Sequence, residues 1–441
     1  GSGRSIADAV EVLPGIHLRR FGGMGGLTSI VIRGLGMNYV NLVVDNIPIM
    51  QTGVGGIDLN FLPLSHIERI EVYRGGGPIE LESPIGGVVR IVTRIPKKTH
   101  EFEAHLGGGT EWSRSSHIGL SGPVHNNISY HFLLHYFGTK GDFNYLNDNN
   151  TPYNPQDDFK TTRRQNASDV ISGRLAIQGE GIHKSLWSIS AMANWKESQV
   201  PGPHLQMGHL PPDANATDTG FLVNAEIREM SNVSRTLEGN MYLSLAQSHR
   251  HFESDGALLG FAVNSIESNL KRGDVKVKLT YRPSLSHHWR LAFGIHRETK
   301  EQSADVQKDV GVAANFTRQE TRPFMGIEIP ANLTGSLEII PRLRLDGQIS
   351  QSSYKQSTRS VLFSPRLGFV LRQPKWRLRG NIGRYHRFPN SIEQFGDGLR
   401  IAPNPDLAPE RGFLADLNLS VPVGKQQLEL SGFNAHAEGL I

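Results

Sequence analysis

The residues best equipped for chemistry in this chain are histidines and aspartates, and their spacing is the first test of what they could do. His131 and His135 lie four apart in "NISYHFLLHYF", and His287 and His288 are adjacent. Either pair could offer imidazole nitrogens to a transition metal, but neither has a third ligand nearby in sequence, so both read as polar lining or turn residues. Asp142, Asp148, Asp157 and Asp158 crowd one polar stretch, 139–168. Oxygen ligands of this kind can hold calcium; their spacing matches no EF-hand, and a solvated acidic loop is expected. The clusters "GGMGG" and "GLGMNY" lack the third glycine of a dinucleotide fingerprint, and GxxxxGK[ST], HExxH and GxSxG are absent. No catalytic residue, resident metal or cofactor is therefore expected, and the chain does not read as an enzyme.

Composition narrows the remaining classes. The 441 residues carry 46 Lys plus Arg against 42 Asp plus Glu, a net charge of +4. The basic residues are dispersed, without the clustered block interleaved with aromatics that nucleic acid would favour, so no nucleic-acid partner is expected. With Cys 0, disulfides, thiol nucleophiles and cysteine-based metal sites are excluded. No window approaches a transmembrane helix, a test that a β-barrel span escapes. The opening "GSGRSIADAV" lacks the charged start and apolar core of a signal peptide, which predicts a processed or trimmed product. Gly 48 and Pro 24 suit many strands joined by turns.

The elements that must position any site divide near residue 97. Before it, Ile6, Ala9, Val10 and Leu13 recur at helical spacing until Pro14-Gly15 stops them. Strand-like "SIVIRG" and "VNLVVDN" follow, then "LPLSHIERIEVYRG", a short helical turn near Ser65 running into a strand from Ile70. In residues 70–94, β-like runs flank a centre that Gly75 to Gly77, Pro84, Gly86 and Gly87 force to bend. Connections 20–28 and 50–57 are Gly-rich and permit close backbone approach.

After Lys98 the period becomes two. Ile128, Tyr130, Phe132, Leu134 and Tyr136 oppose Ser129, His131 and His135; Val275, Val277, Leu279 and Tyr281 oppose Lys276, Lys278 and Thr280. Such alternation fits strands between lipid and a wet interior, or a soluble sandwich. The connections favour the first. About fifteen strands are expected, with short turns at "VHNN", "EGIH", "SLSHH", "RQPK" and "PVGK" alternating with long loops at 139–168, 197–220, 247–271, 300–320 and 387–410. Trp112, Trp187, Trp195, Trp289 and Trp376 near strand ends suit interfacial girdles as well as any β core.

The segments "SIADAVEVLPGIHLRR", "SIVIRGLGMNYVNLVVDNIPI", "LPLSHIERIEVYRG" and "IGGVVRIVTR" together resemble the plug domain of TonB-dependent outer-membrane receptors over residues 5–95. "NPDLAPERGFLADLNLSV" and "LSGFNAHAEGLI" resemble late-barrel strands of that family. The resemblance implies a membrane all-β fold: a transmembrane antiparallel β-barrel, incomplete at about fifteen strands against the family's twenty-two, with a small α+β plug in its lumen. The expected division is plug 1–96, its coupling box missing, and barrel 97–441, truncated at the C-terminus.

It further implies a receptor in the Gram-negative outer membrane, in contact with lipid, importing a scarce bulky ligand with energy from the TonB coupling protein. A ferric siderophore is favoured over cobalamin, haem or another metal complex. The rival class is a binding or sensor protein that does not transport. Arg20, Phe21, Met24, Leu27, Gln51, Thr52 and Val54 fall where plug loops of the family rise to meet ligand. Arg33 and Arg74 match its paired plug arginines, with Glu410 or Asp416 as the wall carboxylates that would hold them. Lys276, Lys278, Arg290, Arg377 and Arg379 would line the lumen and favour an anionic ligand or neutralise the plug. Two departures stand out: "RGGGPIELESPIGG" lacks the family's Tyr before the Gly-Gly, and nothing before Ser5 resembles a coupling box.

Overall fold

The computed structural model describes the chain except residues 1–5, 12, 14, 22–26, 49–63, 83, 150, 152, 201–213, 232–235, 255–262, 285–286, 307–314, 335, 354–357, 396–403, 405 and 440–441. The N-terminal part holds helix α1 (Ile6–Glu11), a hairpin of β1 (Ile16–Phe21) and β2 (Leu27–Ile32), and strands β3 (Val40–Val44), β4 (Ile47–Pro48), β5 (Ile67–Tyr73) and β6 (Gly87–Thr93). The last four form one sheet in the order β4-β3-β6-β5, in which only β3 and β6 run parallel. "VNLVV" and "GVVRIVT" are nearly continuous apolar runs because β3 and β6 occupy the centre, covered on both faces. Leu42, Val44, Val89 and Ile91 pack there with Ile6 and Val10 of α1 and Ile16, Ile30 and Ile32 of the hairpin.

The bend in 70–94 is the connection from β5 to β6. Gly87 has φ +107, and a Cβ there would overlap the Tyr73 carbonyl, so only glycine lets β6 start beside the end of β5. Its neighbour Gly86 donates its N–H to the Tyr39 carbonyl at 2.8 Å, which ties the bend to β3.

The remainder is a sixteen-stranded antiparallel sheet wrapped around this unit. Fifteen strands follow chain order: β7 (Glu101–Gly108), β8 (Arg114–His125), β9 (Ile128–Thr139), β12 (Ser168–Glu180), β13 (Leu186–Gln199), β14 (Ala214–Ser231), β15 (Leu237–Ser254), β16 (Val263–Ser284), β17 (His287–Val306), β18 (Asn315–Glu328), β20 (Leu337–Ser352), β21 (Thr358–Gln373), β22 (Trp376–Arg387), β23 (Glu410–Val423) and β24 (Gln426–Glu438). Strand β19 (Ala331–Thr334) adds to β20, while β10 (Phe143–Asn147) and β11 (Phe159–Arg163) make a separate hairpin. Among the described residues no ladder joins β7 to β24, the two edges of the path.

Side-chain polarity is inverted relative to a soluble sandwich. Phe363 and Leu430 on the outer face are 59% and 69% exposed, whereas Arg344 and Lys276 on the inner face are 6% and 7% exposed. Apolar residues outside and charges inside define a wall that meets lipid. Short turns at 126–127, 181–185, 374–375 and 424–425 lie on one rim, and the connection from β22 to β23 on the other. The expected loops 247–271 and 300–320 require correction, because strands occupy most of them, and the ends of 197–220 are strand as well. β16 runs 22 residues, well beyond the ~10 that a tilted span needs. Above the membrane, polar cross-strand pairs such as His249 with Asn269 at 2.9 Å replace apolar alternation while the backbone ladder continues.

Candidate functional site

Wall cations donate to plug carbonyls at several points of the boundary. Arg174 Nη1 reaches the Arg94 carbonyl at 2.9 Å and Lys276 Nζ the Asn46 carbonyl at 2.6 Å. Arg272 donates to the Pro48 carbonyl and Arg344 to the Ile79 carbonyl. Period-two alternation puts these side chains inside, and the ends of short plug strands supply carbonyls without ladder partners. Wall carboxylates balance the cations: Asp346 pairs with Arg344 at 2.6 Å and with Arg366, and Asp274 with His296 at 2.6 Å.

Ion pairs also cross from plug to wall, among them Arg94 with Glu103 at 2.7 Å. Glu80 meets Lys278 at 3.1 Å, Glu82 meets Arg322 at 3.2 Å and Asp45 lies 3.7 Å from Arg174. Burial by itself would raise the Glu80 carboxyl; the Lys278 ammonium outweighs it and holds the group below the usual carboxylate range. His66 is different, fully buried against the wall with neither ring nitrogen hydrogen-bonded. Its burial, with Arg174 adding, lowers its pKa to about 3.

The plug arginines and wall carboxylates of the sequence reading do not form a simple quartet. Arg33 faces the field of Asp416, but its guanidinium lies over the Phe433 ring at 4.3 Å. Arg74 has its ion contact with Glu429, at 4.0 Å, rather than with Glu410 or Asp416. The intervening backbone explains this: Gly75 packs so tightly on Asp416 that a Cβ would overlap the carboxylate, which instead accepts from Asn381 Nδ2 at 3.0 Å.

Glu410 belongs to a different junction. Arg387 donates to Glu410 through Nε at 2.8 Å and Nη2 at 2.6 Å, and to Glu393 through Nη1 at 2.8 Å. Tyr39 of the plug donates to Glu410 at 2.9 Å, and Asn38 to Glu393 at 3.2 Å. Burial and the Glu410 bond push the Tyr39 phenol up. Glu393 lies in helix α2 (Ser391–Phe395), which starts with a reciprocal cap: Glu393 N–H to Asn390 Oδ1 at 2.9 Å and Asn390 N–H to Glu393 Oε2 at 2.7 Å. Phe395 stacks on Phe316 of the wall at 4.2 Å. A connection on the long rim is thus tied at once to plug and barrel. Beneath it lies a cavity of about 190 Å³ lined by Tyr39, Glu82, Arg272, Lys300, Arg322 and Arg387 among others.

Of the expected ligand contacts, Met24, Gln51, Thr52 and Val54 lie outside the described residues, while Arg20, Phe21 and Leu27 are placed by backbone alone, at the tip of the β1–β2 hairpin. His131 and His135 line the inner face of β9. No group of three metal-holding side chains occurs among the described residues. Asp157 accepts from Thr151 at 2.7 Å and Asn149 at 3.3 Å, closing the acidic loop on itself. Lys276 and Lys278 grip the plug as above, and Arg290 pairs with Glu328 at 3.2 Å. Sequence reasoning missed Tyr39, Lys300, Arg344, Arg387 and Glu393. For Arg344 the signal was present in "PRLRLDGQ", where Arg342, Arg344 and Asp346 share one strand face.

A wall with lipid-facing apolar residues, filled by a separately folded N-terminal unit, defines a plugged outer-membrane barrel. The sequence matches the TonB-dependent Receptor Plug Domain over residues 2–88 and the TonB dependent receptor-like beta-barrel over residues 126–441. The chain belongs to the TonB-dependent receptor family, whose members are receptors and transporters, not enzymes, of the Gram-negative outer membrane. It is 32% identical to the vitamin B12 transporter BtuB of Vibrio vulnificus over 119 residues, 27% of this chain and 20% of that protein. It is 24% identical to the iron-regulated outer membrane virulence protein of Vibrio cholerae over 96% of this chain and 61% of that one. The fold resembles the FrpB iron transporter from Neisseria meningitidis, with a TM-score of 0.77 at 14% identity, covering 99% of this chain and 70% of FrpB. The pyoverdine receptor FpvA from Pseudomonas aeruginosa superposes with a TM-score of 0.72 at 12% identity, covering 98% of this chain and 66% of that one.

Proposed function

We propose that the protein imports a ferric siderophore. The ligand binds at the long-connection rim, contacted by Arg20, Phe21, Met24, Leu27, Gln51, Thr52 and Val54, and passes inward when the TonB coupling protein pulls on the plug. In this reading residues 1–96 act as the plug and 97–441 as the barrel, while Arg33 in the field of Asp416, Arg74 with Glu429 and Glu410 through Tyr39 help lock one in the other. The observation that carries the reading is the boundary itself. Hydrogen bonds from wall cations to plug carbonyls can be exchanged for water at small net cost, so external work can displace the plug without unfolding it.

The test is uptake of a labelled ferric siderophore by cells making the full-length receptor, with and without the coupling protein. Uptake that needs both is expected. Uptake unchanged without the coupling protein overturns the transport reading, and binding without any uptake favours a sensor. A cobalamin ligand is the second reading, supported by the identity to a vitamin B12 transporter. Tight cobalamin binding by the purified receptor with no siderophore binding would establish it.

A further inference from the structure

The cavity under α2 is lined by five inward cations, Arg272, Lys300, Arg318, Arg322 and Arg387, and by Glu82, Glu298, Glu320 and Glu410, with Glu393 of α2 bonded to Arg387 at its edge. Each arginine is already matched: Arg272 to Glu298, Arg318 to Glu320, Arg322 to Glu320 and Glu82, and Arg387 to Glu410. Lys300 is not. Among the described residues its ammonium has no ion pair and no hydrogen bond, and its nearest ring is Phe316, 6.0 Å from Nζ. Glu298, two residues away on the same strand face, is engaged by Arg272 and lies 3.7 Å from His296. Arg411 also borders the cavity, but strand register turns its side chain to the outer face, since the adjacent Glu410 points inward.

An ammonium that lines a cavity without an ion pair of its own attracts an anion, because the neighbouring carboxylates are already engaged by arginines. We propose that this cavity is an anion-binding subsite in which Lys300 pairs with a carboxylate arm of the transported ligand. A lone ammonium fits a carboxylate better than a phosphate, which would bring roughly two negative charges at neutral pH. The volume of about 190 Å³ admits one arm and not a whole bulky chelate. The aromatic rings of Tyr39 and Phe388 in the lining suit the apolar part of such an arm. Because Tyr39 and Arg387 join plug and α2 at the same place, an arm seated on Lys300 touches all three parts of the junction. This subsite rests on the import reading for its ligand, but not for its existence.

The test uses the purified full-length receptor in detergent, with succinate as the probe, succinamide as its uncharged isostere and inorganic phosphate as the competing anion. Binding is followed by calorimetry at low ionic strength. Succinate is expected to bind, succinamide not, and phosphate more weakly. Lys300→Met should weaken succinate about tenfold or more, and Lys300→Arg should restore it to within about threefold. Lys300→Gln provides the same comparison if the methionine variant does not fold. Unchanged succinate binding in the folded neutral variants, or equal binding of succinamide, overturns the subsite; phosphate binding tighter than succinate overturns the carboxylate assignment. Uptake can fail while Lys300-dependent succinate binding persists, and uptake can persist without it, so the two failures are distinguishable.

Discussion

Val88, Val89 and Ile91 inside the plug are each 0% exposed among aliphatic neighbours. At its perimeter the same plug meets Lys276, Arg272 and Arg344, which donate to its carbonyls. Apolar packing is lost as soon as surfaces separate, and water does not replace it. A carbonyl that loses an arginine can gain a water, so its net loss is about 0.5 to 3 kcal/mol. The comparison teaches that cohesion within the plug and adhesion to the wall use different currencies of interaction, and the two can fail separately. His66 is the exception at the boundary, buried and polar but without a hydrogen bond.

His66 therefore offers the largest way to break the contrast. With its folded pKa lowered to about 3, the seated plug excludes a proton that the released chain accepts below 6.5. The stability is present above pH 6.5 and is lost as pH falls toward 3, with a limiting loss of about 4 to 5 kcal/mol. Melting of the purified receptor against pH should show this component, and His66→Leu should remove it; identical pH profiles for both proteins would show that His66 does not act this way. Next in size is Ile91→Ala, expected to cost about 3 kcal/mol in plug stability through the cavity it leaves. Limited proteolysis should then cut the plug while the wall melts as before. Coincident loss of both would mean that plug and wall are one cooperative unit.

Legibility in the sequence follows the same division. Period-two alternation and two-residue turns are local, so the strands and short rim could be read from "NISYHFLLHYF" or "PVGK" alone. The runs "VNLVV" and "GVVRIVT" likewise read as strands. What sequence could not announce was a contact with a carbonyl, because every residue has one. Arg344 and Lys276 could be assigned to the lumen, but not their grip on Ile79 and Asn46. Arg74 was legible as a buried cation, yet its partner depended on how Gly75 packs against Asp416. The extension of β16 beyond the membrane escaped because polar cross-strand pairs carry no apolar period.

Two smaller predictions sharpen the adhesion side. Lys278→Met leaves Glu80, whose side chain is 16% exposed, without its counter-ion and should cost about 1 to 3 kcal/mol. Adding Glu80→Gln should recover most of that, because the stranded charge is then gone. Urea release of the plug, followed by its accessibility to protease, measures both variants. No recovery in the double variant would mean that Lys278 acts by packing alone.

Lys97 and Glu101 test whether distance or burial decides such contacts. Their 2.5 Å separation is shorter than the 3.1 Å of Lys278 and Glu80, so a ranking by distance puts Lys97 first. Both side chains are about half exposed, at 56% and 48%, and water screens them while two flexible chains lose entropy in meeting. Lys97→Ala should therefore change stability by no more than about 0.5 kcal/mol, several times less than Lys278→Met. A melting shift for Lys97→Ala equal to that of Lys278→Met would show that proximity rather than water exclusion sets the strength of such pairs. The contrast between the plug's interior and its boundary would then need a different physical basis.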